Sequence, residues 1–217
     1  DLKKIDYLLL YKLSVQGSAL FVNPIDLPGT PFWNFDDVKP QDEGRDVFSL
    51  HVGTNNGWAC LDITNVANNE NTLIEPETTA GDVPPAGVGN GELGNYLNLF
   101  LWNDVNADGI YNPPTETVLS QGLFGTGLSL PIHDSTTANG VLVASTTEYV
   151  GAAWCAGTQT VDGLTGVITC DGSTMSNVAQ TDSLTADVVF RAEQVRNNPN
   201  FTCAGPVVAP VPIQGGA

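Results

Sequence analysis

Positive charge is what this chain has least of: seven lysines and arginines stand against twenty-four aspartates and glutamates, a formal net charge of −17. Phosphate groups are bound by basic surfaces, so nucleic acid and anionic membrane are excluded as partners and cations are favoured. No run of about twenty apolar residues occurs, and membrane insertion is excluded with it. Histidine is limited to His51 and His133 and no C-x-x-C spacing is present, which leaves zinc without a ligand set. The chain also lacks G-x-S-x-G, H-E-x-x-H, a Walker loop and a dinucleotide fingerprint. His133, Asp134 and Ser135 are the right residue types for a triad, but chain neighbours do not converge on one reacting atom. Paired carboxylates can hydrolyse glycosides, yet no pair stands out here. The expectation is a protein that is not an enzyme.

Methionine occurs once, while Gly 23 and Pro 14 punctuate the chain. That balance suits short strands joined by turns, and the expected fold class is all-β. At 217 residues the chain can bury a sizeable core as one large β-domain or two small ones. The opening DLKKID has none of the parts of a signal peptide, so a secreted protein would be represented here in its processed form. Four cysteines in an acidic, Lys-poor chain fit an oxidising compartment, and the expected localisation is secreted, extracellular or cell-surface. Cys155 and Cys170 bracket a turn-rich segment and can close a hairpin-like loop; Cys60 and Cys203 would then pair. All three pairings remain open on sequence.

Alternation marks the strands. In Tyr7–Val15 the residues Tyr7, Leu9, Tyr11, Leu13 and Val15 share one apolar face. Left as an open edge, YLLLY would aggregate, so its own sheet or another subunit must cover it. Ala19–Val22 is a second short strand, and NPIDLPGTPFWNF reads as loop. Phe48, Leu50 and Val52 share a face after the turn at Lys39–Gly44. WACLDITNV follows another turn and is expected to be its antiparallel neighbour. Asn68–Gly91 is polar and rich in Pro and Gly, a long surface loop; Glu75, Glu77, Asp82 and Glu92 are either solvated or offer oxygens to a metal. Further strands are expected over 117–123, 126–132, 141–144 and 148–154, then a long one over Asp182–Val195. About nine strands and no convincing helix predict a jelly-roll-like antiparallel β-sandwich. The expected division is an N-terminal strand segment at 1–22, one domain at 23–203 and a Pro/Gly-rich tail at 204–217.

The densest chemistry lies in LNLFLWNDVNADGIYNPPTE, residues 97–116, where an apolar strand runs into a loop of side-chain oxygens. As a calcium loop, Asp104, Asn106 and Asp108 take positions one, three and five. Gly109 gives the turn, the Ile110 carbonyl faces the ion and Asn112 takes position nine. Position twelve is Thr115, which is no bidentate ligand; Glu116 comes one residue later, after Pro113 and Pro114. The cofactor expected is Ca2+. The competing reading is an Asx-rich turn. Trp33, Trp58 and Trp102 are either core residues or stacking platforms for a glycan.

Three segments together resemble one family. DVKPQDEGRDVFSLHV (37–52) is similar to its L-K-P-G-D segment and GELGNYLNLFLWNDVNADGIYNPPTE (91–116) to its G-E-L-A…W-x-D-x-x-x-D-G-x-Y segment. QTDSLTADVVFRAEQVRNN (180–198) is similar to its closing strand. The family is that of TasA and camelysin, secreted fibre subunits of biofilm matrices and related archaeal filaments; the likeness covers roughly residues 36–203. It implies a jelly-roll subunit that polymerises with copies of itself by donor-strand exchange, the donor lying within 1–22. Tyr7–Val15 is then the donor, or else simply the first strand of its own domain. Family members begin with a Phe- and Ser/Thr-rich segment, whereas this chain opens at DLKKIDY, and the cysteines and tail are not general to the family. Camelysin is classed as a metallopeptidase; with no zinc-protease motif here, that activity is not carried over. The function expected is a calcium-stabilised structural subunit of an extracellular filament, in contact with other matrix components or glycans. The alternative is a secreted calcium-binding carbohydrate-binding or adhesion module.

Overall fold

The computed structural model describes residues 33–83 and 85–203, with residues 8–14 and Asn34 as backbone alone. Tyr7, Val15, the expected strand Ala19–Val22 and the tail 204–217 lie outside the described residues. Twelve strands run through the rest: β1 (Leu8–Ser14), β2 (Trp33–Phe35), β3 (Glu43–Val52), β4 (Gly57–Glu70), β5 (Gly87–Val88), β6 (Leu97–Asn103), β7 (Val118–Leu123), β8 (Leu128–His133), β9 (Thr147–Ala156), β10 (Thr158–Val161), β11 (Ile168–Asp171) and β12 (Ser183–Gln194). One sheet has the order β1-β3-β9-β6-β7, the other β2-β12-β4-β5 with β8 also paired to β4, and β10-β11 form a separate hairpin. Every pairing is antiparallel. The two large sheets pack together as an all-β sandwich, the expected class.

The core between them is filled by alternate residues of each strand: Phe48 and Leu50 from β3, Leu61 and Ile63 from β4, Leu97, Leu99 and Leu101 from β6, Leu184 and Ala186 from β12. Strand β6 is apolar from Leu99 to Trp102 because both its faces are covered there. Phe100 and Trp102 point away from the main core into a second cluster with Tyr111 and Ala153, packed by Val161 and Ile168 of the β10-β11 hairpin. Gly151 of β9 lies under the Trp102 indole so closely that a Cβ there would sit 2.1 Å from it.

Several expectations are corrected. β3 and β4 are not neighbours; they belong to different sheets. Alternation reveals which face a strand buries, and two strands can bury toward one core from opposite sides of a sandwich as readily as side by side. Trp33–Phe35, expected as loop, is a strand paired with Leu184–Ala186, too short for alternation to show. Residues 141–144 form no strand; Leu142 alone bridges Gly57. The long loop is not all loop: β4 extends to Glu70 and a helix, α1 (Glu75–Ala80), follows. Pro76 in its first turn and the left-handed Gly81 after its end are the signals that mark it in the sequence. Two disulfides staple the sandwich, Cys60–Cys203 and Cys155–Cys170, the pairing that the hairpin-loop reading favours.

Candidate cation centres

The loop after β6 is built as its sequence suggests, around buried carboxylates. Asp104 is fully buried, and its two oxygens accept from the backbone N–H groups of Asp108 and Gly109 at 3.2 and 3.0 Å. Glu116, also buried, accepts from Val105 N–H at 3.0 Å and Asn112 N–H at 2.8 Å, so it closes the loop that Thr115 cannot. Asp108 accepts from Ile110 N–H and from the Asn106 amide, each at 2.8 Å. The Asn112 amide donates to the Ile110 carbonyl at 2.8 Å. Burial raises the pKa of both Asp104 and Glu116 against the lowering effect of these N–H donors. The donor set, three carboxylates with two amides and a carbonyl, fits a hard cation. Each carboxylate there is nevertheless already held by N–H groups, which also makes the loop a self-sufficient Asx-type turn.

A second acidic centre forms where the sequence offers only scattered charges. Glu70 ends β4, Glu77 lies in α1, Asp82 follows Gly81, Glu92 precedes the 3-10 turn Leu93–Asn95, and Asp182 leads into β12. One oxygen from each of Glu70, Asp82 and Glu92 lies within 4.8 Å of the others, and the same holds for Glu70, Glu77 and Asp182. Glu70, Glu77 and Asp182 are buried. The chain anchors one oxygen of several members: Asp182 Oδ2 accepts from Glu92 and Leu93 N–H, and Asp82 Oδ1 from Val83 N–H. Glu77 accepts from Ile74 N–H at 2.7 Å and Thr181 N–H at 2.8 Å. The remaining oxygens, Glu70 Oε2, Asp82 Oδ2, Glu92 Oε2 and Asp182 Oδ1, are buried with no hydrogen-bond partner. Among the described residues no lysine, arginine or histidine forms a salt bridge to this group. Burial, then the charge of Asp182, pushes the Glu70 carboxyl up to about 7. Burial raises Glu92 and Asp182 as well.

Trp33, Trp58 and Trp102 are all buried, which removes them as stacking platforms. Asp134 accepts from Thr136, Thr137 and Cys203 N–H, while His133 contacts the Gly140 carbonyl and, at 2.6 Å, Glu148; no triad forms from these adjacent residues. His133 and Glu148 line an open cleft of about 330 Å³ with Asn103, Asn139 and Tyr149. Arg191 forks onto buried Asp62 and ties β12 to β4. No helix among the described residues is long and apolar enough to cross a membrane. Fold and sites together define a class: a disulfide-bonded antiparallel sandwich carrying two acidic centres, suited to an oxidising, extracellular environment. No protein-family model, curated protein or solved structure matches the chain.

Proposed function

We propose that this protein is a secreted structural subunit of an extracellular filament, joined to copies of itself by exchange of β1. The observation that carries the reading is the place of β1. It sits at the edge of its sheet and pairs with β3 over its whole length, from Leu8 opposite Val52 to Ser14 opposite Asp46. An edge strand held by one ladder is the element most readily replaced by the same strand of a neighbour, in the same register. Each such contact is head to tail and does not close, so it grows into a fibre. The resemblance to the TasA and camelysin fibre subunits supports the same reading. A jelly-roll subunit, a cell-surface or matrix location and calcium at Asp104, Asn106, Asp108, Ile110, Asn112 and Glu116 belong to this proposal.

The test uses the register. Tyr11 lies opposite Ser49, and directly opposed residues place their Cβ atoms about 4.5–5.5 Å apart. A Tyr11→Cys chain is mixed with a Ser49→Cys chain under mild oxidation in millimolar calcium, and the product is viewed by negative-stain electron microscopy. Filaments containing Tyr11–Ser49 cross-linked dimers are expected. Uniform monomers without cross-links overturn the proposal and favour the carbohydrate-binding or adhesion module, for which the cleft at His133, Glu148 and Tyr149 is the polar surface to probe with glycans.

A further inference from the structure

We infer that Glu70, Glu77, Asp82, Glu92 and Asp182 form a calcium site that fastens the 71–92 segment to the ends of β4 and β12. The inference is independent of filament assembly and of the loop at 104–116. Its starting point is a cost. Burying a carboxylate without a partner is expensive, and a group of them repels itself; proteins tolerate this where a cation completes the site. The arrangement here is not a random acidic surface. Asp182 and Asp82 each have one oxygen fixed by backbone N–H groups and the other left bare, while Glu70 and Glu92 add one bare oxygen apiece. Glu70 is only 4% exposed and Asp182 3%, so bulk water does not satisfy the bare oxygens.

The spacing fits one ion class. Oxygens bound to a single calcium at about 2.3–2.6 Å can lie at most about 5 Å apart, and both carboxylate triads meet that limit with Glu70 common to them. Calcium accepts six to eight oxygens in flexible geometry, whereas magnesium keeps much of its water and rarely takes a dedicated protein cage. No histidine or cysteine enters the group, which disfavours zinc and copper. The chain order also has a mechanical meaning. Four of the five acids lie between positions 70 and 92 and the fifth at 182, so an ion would clamp β5 and α1 against the start of β12.

Calorimetric titration of calcium chloride into the chelator-stripped, full-length chain tests this. Glu70→Gln/Asp182→Asn is compared with Asp108→Asn, which touches only the other loop. The expected result is that Glu70→Gln/Asp182→Asn loses one calcium from the stoichiometry, or at least 100-fold in affinity at one site, while Asp108→Asn retains that site. Calcium should also shield the 71–92 segment from limited proteolysis in the wild type and not in Glu70→Gln/Asp182→Asn. A folding defect is separable, because removing buried like charges should leave the calcium-free melting temperature at or above the wild type's. Identical calcium stoichiometry and affinity in wild type and Glu70→Gln/Asp182→Asn, or no calcium binding by the wild type, overturns the inference.

Discussion

Single residues carry the sharpest consequences. Glu70 has its carboxyl raised from 4.5 to about 7 in the folded chain, so between those values the folded state holds a proton that the unfolded state has released. Stability without calcium must therefore fall as pH rises through that window. Asp134 acts in the opposite sense: although burial alone would raise its pKa, the Thr136 hydroxyl and the backbone N–H donors lower it on balance, so its contribution is lost only as pH falls below 3.8. The calcium-free melting temperature is expected to be higher near pH 5 than near pH 7.5 by scanning calorimetry. Glu70→Gln should flatten that difference, and a profile unchanged by the substitution would remove Glu70 as its source. A steric prediction sits at Gly151, where any side chain meets Trp102. Gly151→Ala should destabilise the fold by about 1–3 kcal/mol or more through overpacking, read as a lower denaturation midpoint at constant m-value.

At the level of elements, β6 shows how far the sequence could be read. Its apolar run, Leu99–Trp102, reads as a strand, and the structure covers both of its faces, the second with the β10-β11 hairpin. The Cys155–Cys170 bond holds that hairpin to β9 with a separation of 15 residues, which in the chain-entropy account stabilises by about 3 kcal/mol. Replacing both cysteines by serine should loosen the hairpin and quench or shift the fluorescence of Trp102, with hydrogen exchange rising first at β10 and β11. If exchange rises equally across β4 and β12, the hairpin is not an independent unit. Strands with clean alternation, such as Phe48 and Leu50 in β3, were legible. The partnership of β3 was not, because pairing is a property of two distant segments and alternation describes only one. The acidic centre was illegible for the same reason. Glu77 and Asp82 stood in a polar stretch and, with Glu92 just after it, read individually as solvated, while Glu70 closes a strand that the polar pattern hid and Asp182 lies 90 residues beyond Glu92, before β12. The EPETTAG pattern of α1 was the one available clue that this loop was ordered.

The whole molecule carries a net charge of −17, and that charge opposes any contact between copies. Two different remedies exist, and they separate experimentally. Sodium chloride shortens the screening length from about 30 Å at 0.01 M to about 10 Å at 0.1 M, and acts on every exposed charge alike. Calcium at an acidic centre removes charge locally and orders the chain that supplies the ligands. If filaments form by exchange of β1, their rate of growth should rise with sodium chloride, because two acidic sandwiches must approach before the strand can change partners. Calcium at constant ionic strength should raise the melting temperature of the monomer as well as the growth rate. Light scattering followed over both titrations decides the matter. Growth that responds equally to calcium and to an isoionic amount of sodium, with no change in melting temperature, would reduce calcium to a screening ion and leave neither acidic centre with a structural role.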